Sequence, residues 1–156
     1  MQNKAVIICG TTASSKSDFA IDYAKKNNGE IINIDSLQVY EELPVITASP
    51  SKEDKKQIPH HLFNFIKGDT SFSVAKYLEY ARCAADEISS RGKLPIFVGG
   101  TGFYINAILN GINELPQTDV SIREKINGMS LDEIIKELQK NTPDIFQTIN
   151  ENDRQR

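Results

Sequence analysis

An uninterrupted apolar run, Ala5-Val6-Ile7-Ile8-Cys9, leads straight into Gly10-Thr11-Thr12-Ala13-Ser14-Ser15-Lys16-Ser17, and helical spacing follows in Phe19, Ala20, Tyr23 and Ala24. A short β-branched run without polar alternation is a strand covered on both faces, as in a parallel sheet. Strand, small-residue loop and helix in succession place the chain in the α/β class. The octet matches the phosphate-binding loop G-x-x-x-x-G-K-[ST], except that Ser15 stands at the second glycine. In such a loop consecutive backbone N–H groups and the N-terminus of the next helix surround a phosphate, Lys16 neutralises it, and the Ser17 hydroxyl coordinates Mg²⁺. Gly10, Thr11, Thr12, Ala13, Ser14, Ser15, Lys16 and Ser17 are therefore the candidate diphosphate or nucleotide site, with Ser17 the candidate metal ligand. A serine at position 15 adds a Cβ where the backbone must approach oxygen atoms, and puts any unusual backbone angle on a residue with less freedom. Weakened phosphate binding is the expectation.

Two further buried-type strands fit the same architecture. Glu30-Ile31-Ile32-Asn33-Ile34-Asp35 ends on a carboxylate, and Leu94-Pro95-Ile96-Phe97-Val98 runs into Gly99-Gly100-Thr101-Gly102 and a helix through Phe103, Ile105, Ala107 and Ile108. Open α/β sheets place ligands beyond the carboxyl ends of their strands, so Asp35 and Thr101 stand where chemistry is done. Residues 36 to 61 show no clear period and carry Pro44, Pro50, Pro59 and the cluster Lys52-Glu53-Asp54-Lys55-Lys56, which reads as a mobile excursion outside the core. A short strand is expected in His61 to Ile66, then a long amphipathic helix with Val74, Leu78, Ala81, Ala85 and Ile88 on one stripe, ended by Gly92. Past Asn113 the segments turn polar and helical, with a capping box in Ser130 and Glu133 and a Thr142-Pro143 helix start. The division is an α/β core over residues 1–112 and a small helical appendage over 113–156.

With 39% hydrophobic and 25% charged residues among 156, the chain lies away from the disordered corner of composition, and no apolar run is long enough to span a bilayer. A soluble, cytoplasmic monomer is the expectation. Cys9 and Cys83 lack zinc-site spacing and read as two buried free thiols; His60 and His61, being adjacent, point in different directions and do not grip one metal together. A net charge of −3 announces no global field for nucleic acid, so any RNA-binding surface must be local or lie elsewhere.

Several short strings occur together in one order. Asp35-Ser36-Leu37-Gln38-Val39-Tyr40 after a P-loop resembles the D-S-x-Q-x-Y signature of tRNA dimethylallyltransferases. Pro59-His60-His61-Leu62, Gly92-Lys93-Leu94-Pro95, Gly99-Gly100-Thr101-Gly102-Phe103-Tyr104 and Asn152-Asp153-Arg154-Gln155-Arg156 resemble that family's P-H-H-L, G-K-x-P, G-G-T-G-x-Y and N-D-x-x-R elements. The likeness runs from Ala5 to Arg156. It implies a P-loop NTPase-like three-layer sheet and transfer of a dimethylallyl group from dimethylallyl diphosphate to N6 of an adenosine beside a tRNA anticodon. Residues 12–17 would hold the diphosphate with Mg²⁺, Asp35 would take the N6 proton, and Thr101 would face the same centre. Ser36, Leu37 and Gln38, with Asp35 and Thr101, would line the adenosine pocket, and Arg123 is a further candidate for touching tRNA.

Two departures bear on activity. Besides Ser15, Leu43 to Ser51 reads L-P-V-I-T-A-S-P-S where the family has a G-x-x-I-G-T-A-K-P-like run, so a glycine and a lysine near the site are replaced. Family members also continue well beyond Arg156, so the chain is expected to be an N-terminal part with weak or absent activity alone, and a separate C-terminal half enters among its partners. Two other readings stay open: a P-loop small-molecule kinase, and a non-catalytic remnant of the transferase.

Overall fold

The computed structural model describes residues 4–112 and 119–150. Residues 1–112 and 113–156 form two compact units. In the first, β1 (Val6–Cys9), α1 (Lys16–Lys26), β2 (Gly29–Asn33), α2 (Lys52–Gln57), β3 (His60–His61), α3 (Val74–Ser90), β4 (Leu94–Gly99) and α4 (Gly102–Asn110) follow in chain order. The sheet runs β1-β4-β2-β3 and every pairing is parallel, with Val6 opposite Ile96, and Ile31 between Ile96 and His60. Parallel pairing brings Cys9, Asn33 and Gly99, the last residues of three strands, to one edge of the sheet.

Both faces of the sheet are covered, which is why its strands read as continuous apolar runs. Successive strand side chains point to opposite faces. Ile32, Ile34 and Phe97 pack with Tyr77, Ala81 and Ile88 of α3 and Tyr104 of α4. Ile31, Ile96 and Val98 pack with Ala20, Ile21 and Ala24 of α1. On α3 the fully buried residues are Tyr77, Ala81, Ala84 and Ile88, while Val74, Leu78 and Ala85 of the expected stripe flank them. Ser73 caps this helix by accepting from the Lys76 amide, and Gly92, at φ 70°, turns the chain out of it.

Three expectations need correction. The stretch 36–61 contributes to the core, because Val39 is fully buried, Ile58 nearly so, and a Ser51–Asp54 capping box starts α2. It lacks a period because side chain to backbone bonds, and not a repeating face, hold it. Of His61 to Ile66, only His61 lies in a strand: left-handed backbone at Leu62 (φ 63°) and Asn64 (φ 51°) ends the ladder, and one isolated bridge joins Tyr40 to Ile66. Cys9 and Cys83 are both exposed, Cys9 where β1 emerges at the sheet edge and Cys83 on the outward side of α3.

Glu30, in β2 toward the edge opposite Asn33, is buried yet charged. Its carboxylate takes Lys93 Nζ at 2.7 Å on one oxygen, and His61 Nε2 at 2.7 Å and Arg91 Nη2 at 2.8 Å on the other. Burial raises its pKa, but the Lys93 and His61 hydrogen bonds and the charges of Arg91 and Lys93 outweigh that and leave it below the usual glutamate range.

The second unit contains α5 (Val120–Gly128), α6 (Leu131–Asn141) and α7 (Pro143–Phe146). Ser130 and Glu133 exchange both bonds of a capping box, and Pro143 opens α7. Thr142 does not cap α7: its hydroxyl donates to the Leu138 carbonyl at 3.2 Å. No described helix is long and apolar enough to cross a membrane.

Candidate active site

The loop after β1 closes on itself before α1 begins. Ser14 Oγ donates to the Thr11 carbonyl at 2.8 Å, and the Lys16 ammonium hydrogen-bonds the same carbonyl and, at 3.4 Å, Ser14 Oγ. Ser15 occupies the N-cap of α1 in left-handed backbone, φ 56° and ψ 26°, and its side chain caps nothing. Ala13 is also left-handed, at φ 60°. The position where the motif carries glycine is thus one where a Cβ is strained.

Two strand exits meet this loop. Beyond β4, a Cβ on Gly99 would lie 2.5 Å from the Ile34 carbonyl oxygen, and one on Gly100 would lie 3.1 Å from the Gly10 oxygen. The glycines let three backbone segments converge. Beyond β2, Asp35 Oδ1 accepts from the Leu37 amide at 2.9 Å and more weakly from the Gln38 amide at 3.4 Å, while Oδ2 carries no hydrogen bond among the described residues.

Between these elements lies a cleft of about 150 Å³. The loop and α1 give it Thr12, Ala13, Lys16 and Ser17; the β2 exit gives Asp35 and Gln38; Gly99 and Gly100 form its floor. Of the residues singled out in the sequence, these line one space. Thr101 is not among the lining residues; its Oγ1 accepts from the Ser36 amide at 3.1 Å and so fixes the turn that follows Asp35. Ser36 and the half-exposed Leu37 lie outside the lining, as do Gly10, Thr11, Ser14 and Ser15. Arg123 is an exposed residue of α5, in the second unit.

Thr47, Ala48, Pro50, His60 and Phe63 also line the cleft. Thr47, Ala48, Pro50 and His60 stand in the quoted L-P-V-I-T-A-S-P-S and P-H-H-L strings and Phe63 just after the second, but no period marks which side chains turn inward. Gln38 ties the first of these segments down: Nε2 donates to the Thr47 and Ala48 carbonyls at 2.8 and 3.1 Å, leaving Oε1 as an acceptor. His60 Nδ1 lies 2.7 Å from the Ile58 carbonyl, which can only accept, so Nδ1 bears the proton and Nε2 is an acceptor when the ring is neutral. Burial pushes the His60 pKa down and favours that neutral form. Tyr104, stacked on Tyr77 at 4.1 Å, has its pKa pushed up, first by burial and then by the neighbouring Tyr40 and Asp35. Lys16 is the cation among the lining residues and Asp35 their carboxylate.

No group of three or more His, Cys, Asp or Glu that could hold a metal occurs among the described residues. Ser17 and Asp35 nevertheless set a hydroxyl and a carboxylate on the same cleft, a fit to a hard cation that keeps most of its waters and takes its other oxygens from a phosphate.

Known proteins resemble this chain in sequence and fold. A model of isopentenyl transferases matches residues 3–61. The tRNA dimethylallyltransferases of Rickettsia massiliae and Rickettsia canadensis are 46% and 47% identical over 159 residues, which is 99% of this chain but 44% and 49% of theirs. The chain therefore spans about half the length of the curated relatives it matches. Among solved structures, a eukaryotic dimethylallyltransferase acting on tRNA superimposes with a TM-score of 0.82 at 32% identity, over 96% of this chain and 38% of that one. The full-length tRNA isopentenylpyrophosphate transferase of Bacillus halodurans gives 0.71 at 34% identity, over 98% and 52%. A model described as IPP transferase matches residues 38–156, the greater part of the sequence, and with the P-loop core before it this chain belongs to the IPP transferase family.

Proposed function

We propose that this chain carries the reaction centre for transfer of a dimethylallyl group from dimethylallyl diphosphate to N6 of an adenosine adjacent to a tRNA anticodon. The observation that carries this reading is the single cleft that joins Lys16 and Ser17 to Asp35 in a member of this family. Backbone amides of residues 12–17 and the Lys16 ammonium hold the diphosphate as the leaving group. A Mg²⁺ held by Ser17, with Asp35 nearby, supplies further charge neutralisation when bound. Asp35 acts on the acceptor: with Oδ1 held by two amides, Oδ2 is available to orient the N6 amine and take its proton as nitrogen attacks the allylic carbon and the C–O bond electrons leave with the diphosphate. Thr101 orients the Ser36 turn, Leu37 and Gln38 border the base, and Arg123 is a candidate contact to the RNA backbone.

Positioning the RNA is the harder part. A flipped base needs positive surface along its strand, and a net charge of −3 supplies little of it. Orientation accounts for roughly 7–11 kcal/mol of such a barrier. We therefore place the chain in the cytoplasm as a monomer that binds dimethylallyl diphosphate by itself and transfers it effectively only with the RNA-binding remainder of the family fold, in the same chain or a separate one. Calorimetry with dimethylallyl diphosphate and Mg²⁺ is expected to show binding that Lys16→Ala abolishes and Asp35→Ala retains. Labelled dimethylallyl transfer to unmodified tRNA is expected to be slow with the chain alone and to rise, dependent on Asp35, when the C-terminal half of the Bacillus halodurans relative is added. No diphosphate binding, or passage of labelled phosphate from ATP to a small metabolite, overturns the reading, the latter in favour of a kinase.

A further inference from the structure

Asn33 is a fully buried polar residue at the end of β2, two positions before Asp35. All the main bonding positions of its side-chain amide are used. Oδ1 accepts from the Asp35 amide at 2.8 Å, and Nδ2 donates to the Asp35 carbonyl at 2.9 Å and to the Leu62 carbonyl at 3.0 Å. Its own carbonyl accepts from the buried Tyr77 hydroxyl at 2.9 Å.

A buried asparagine with satisfied bonds is ordinarily a structural residue. What distinguishes this one is where the bonds go. Two of them grip the amide and the carbonyl of Asp35 itself, so they fix the backbone on both sides of one carboxylate. The third reaches across to the segment that brings His60 and Phe63 into the cleft. We infer that Asn33 is a positioning residue for Asp35, holding the carboxylate-bearing turn at a set distance from the opposite wall of the cleft. The inference rests on the function proposed above, in which Asp35 must meet an amine within hydrogen-bond reach; a displacement of about 1 Å costs on the order of a hundredfold in rate.

No other common side chain fills this role. Aspartate keeps the shape and the acceptor but loses both donors and sets an oxygen against two carbonyls. Serine can reach the Asp35 amide but not Leu62. Neighbouring supports are independent of Asn33: Ile34 donates to Val98 at 2.8 Å, Thr101 donates to Ile34 at 3.3 Å, and Ser36 donates to Thr101 Oγ1 at 3.1 Å. Loss of the asparagine amide therefore loosens the Asp35 peptide while the strand exits stay paired.

The test compares Asn33→Ser and Asn33→Asp with Ile88→Val, a buried substitution on α3 that touches no part of the cleft. In the transfer assay supplemented with the relative's C-terminal half, both Asn33 variants are expected to lose roughly 10- to 100-fold in kcat. Their KM for dimethylallyl diphosphate should stay within about twofold, since the P-loop is untouched. In ¹⁵N–¹H spectra the Leu37 and Gln38 amide protons should move upfield as their bonds to Asp35 Oδ1 lengthen, with no such shift in Ile88→Val. Unchanged kcat and unchanged amide shifts would overturn the inference, and so would loss of diphosphate binding in both Asn33 variants, which would assign the residue to the fold alone. If the parent shows no transfer at all, the proposed function fails, and the amide shifts still decide the role of Asn33.

Discussion

Ser15 holds a backbone conformation that costs a residue with a Cβ about 1–2 kcal/mol. Glycine removes that cost but gives the unfolded chain more freedom, worth roughly 0.4–1 kcal/mol. Ser15→Gly should therefore change stability by between zero and a gain of about 1.5 kcal/mol, measured by urea unfolding, while tightening dimethylallyl diphosphate binding. Equal or weaker binding in calorimetry would show that the serine Cβ is not the limiting defect. The G-G-T-G turn yields a second contrast. A methyl on Gly99 meets the Ile34 backbone at 2.5 Å, whereas one on Gly102 meets nothing within 4 Å. Gly99→Ala should destabilise by about 3 kcal/mol or more, because backbone cannot yield as a side-chain tip can, and Gly102→Ala, at the first turn of α4, should be neutral or slightly stabilising. Similar melting temperatures for the two would contradict this assignment. Nothing in the sequence separates these glycines; only the approach of β2 to β4 does.

At the scale of elements, β1, β2, β4 and their helices were legible because each is a local pattern: an apolar run, a turn of small residues, a helical stripe. Lys16, Ser17, Asp35 and Gln38, singled out from their motifs, line the cleft together for the same reason. The segment 36–66 was not legible, since Gln38, Asn64 and Asn33 hold it by bonds to Thr47, Tyr40 and Leu62 carbonyls that leave no period. The α3 stripe was misplaced by part of a turn because Tyr77, stacked on Tyr104, takes the central position that an apolar count gives to Leu78. The knot at Glu30 was also invisible, as its partners come from β3 and from the two ends of the α3–β4 turn. Glu30→Gln should lower stability by about 1–2 kcal/mol at neutral pH, the low end for a buried pair because the cations stay partly hydrated. The pH dependence follows from its lowered pKa. The unfolded chain takes up this proton first, so the stability Glu30 contributes is complete above the ordinary glutamate range, about 4.5, and is lost as pH falls through its folded value. Thermal unfolding between pH 7 and 3 should show a shallower acid limb in Glu30→Gln; parallel curves would mean that the cluster contributes nothing.

At the scale of the molecule, every lining residue of the cleft falls within residues 1–112. A fragment of that length should fold cooperatively and bind dimethylallyl diphosphate within about threefold of the full chain, by circular dichroism and calorimetry, since contacts and ligand groups lie within one unit. Loss of binding would show that residues 113–156 contribute to the site. The order of the strands has a consequence for how the protein comes into being. β1 leaves the ribosome first, yet its partner in the sheet is β4, near the far end of the unit. A nascent chain carrying the whole P-loop therefore has no place to dock it, and the strand waits, apolar and unpaired, through the synthesis of three helices and two other strands. Contacts this distant in sequence form slowly and leave sticky intermediates. The newborn protein should thus depend on chaperones up to the moment Gly99 emerges, and acquire its cleft in one late step.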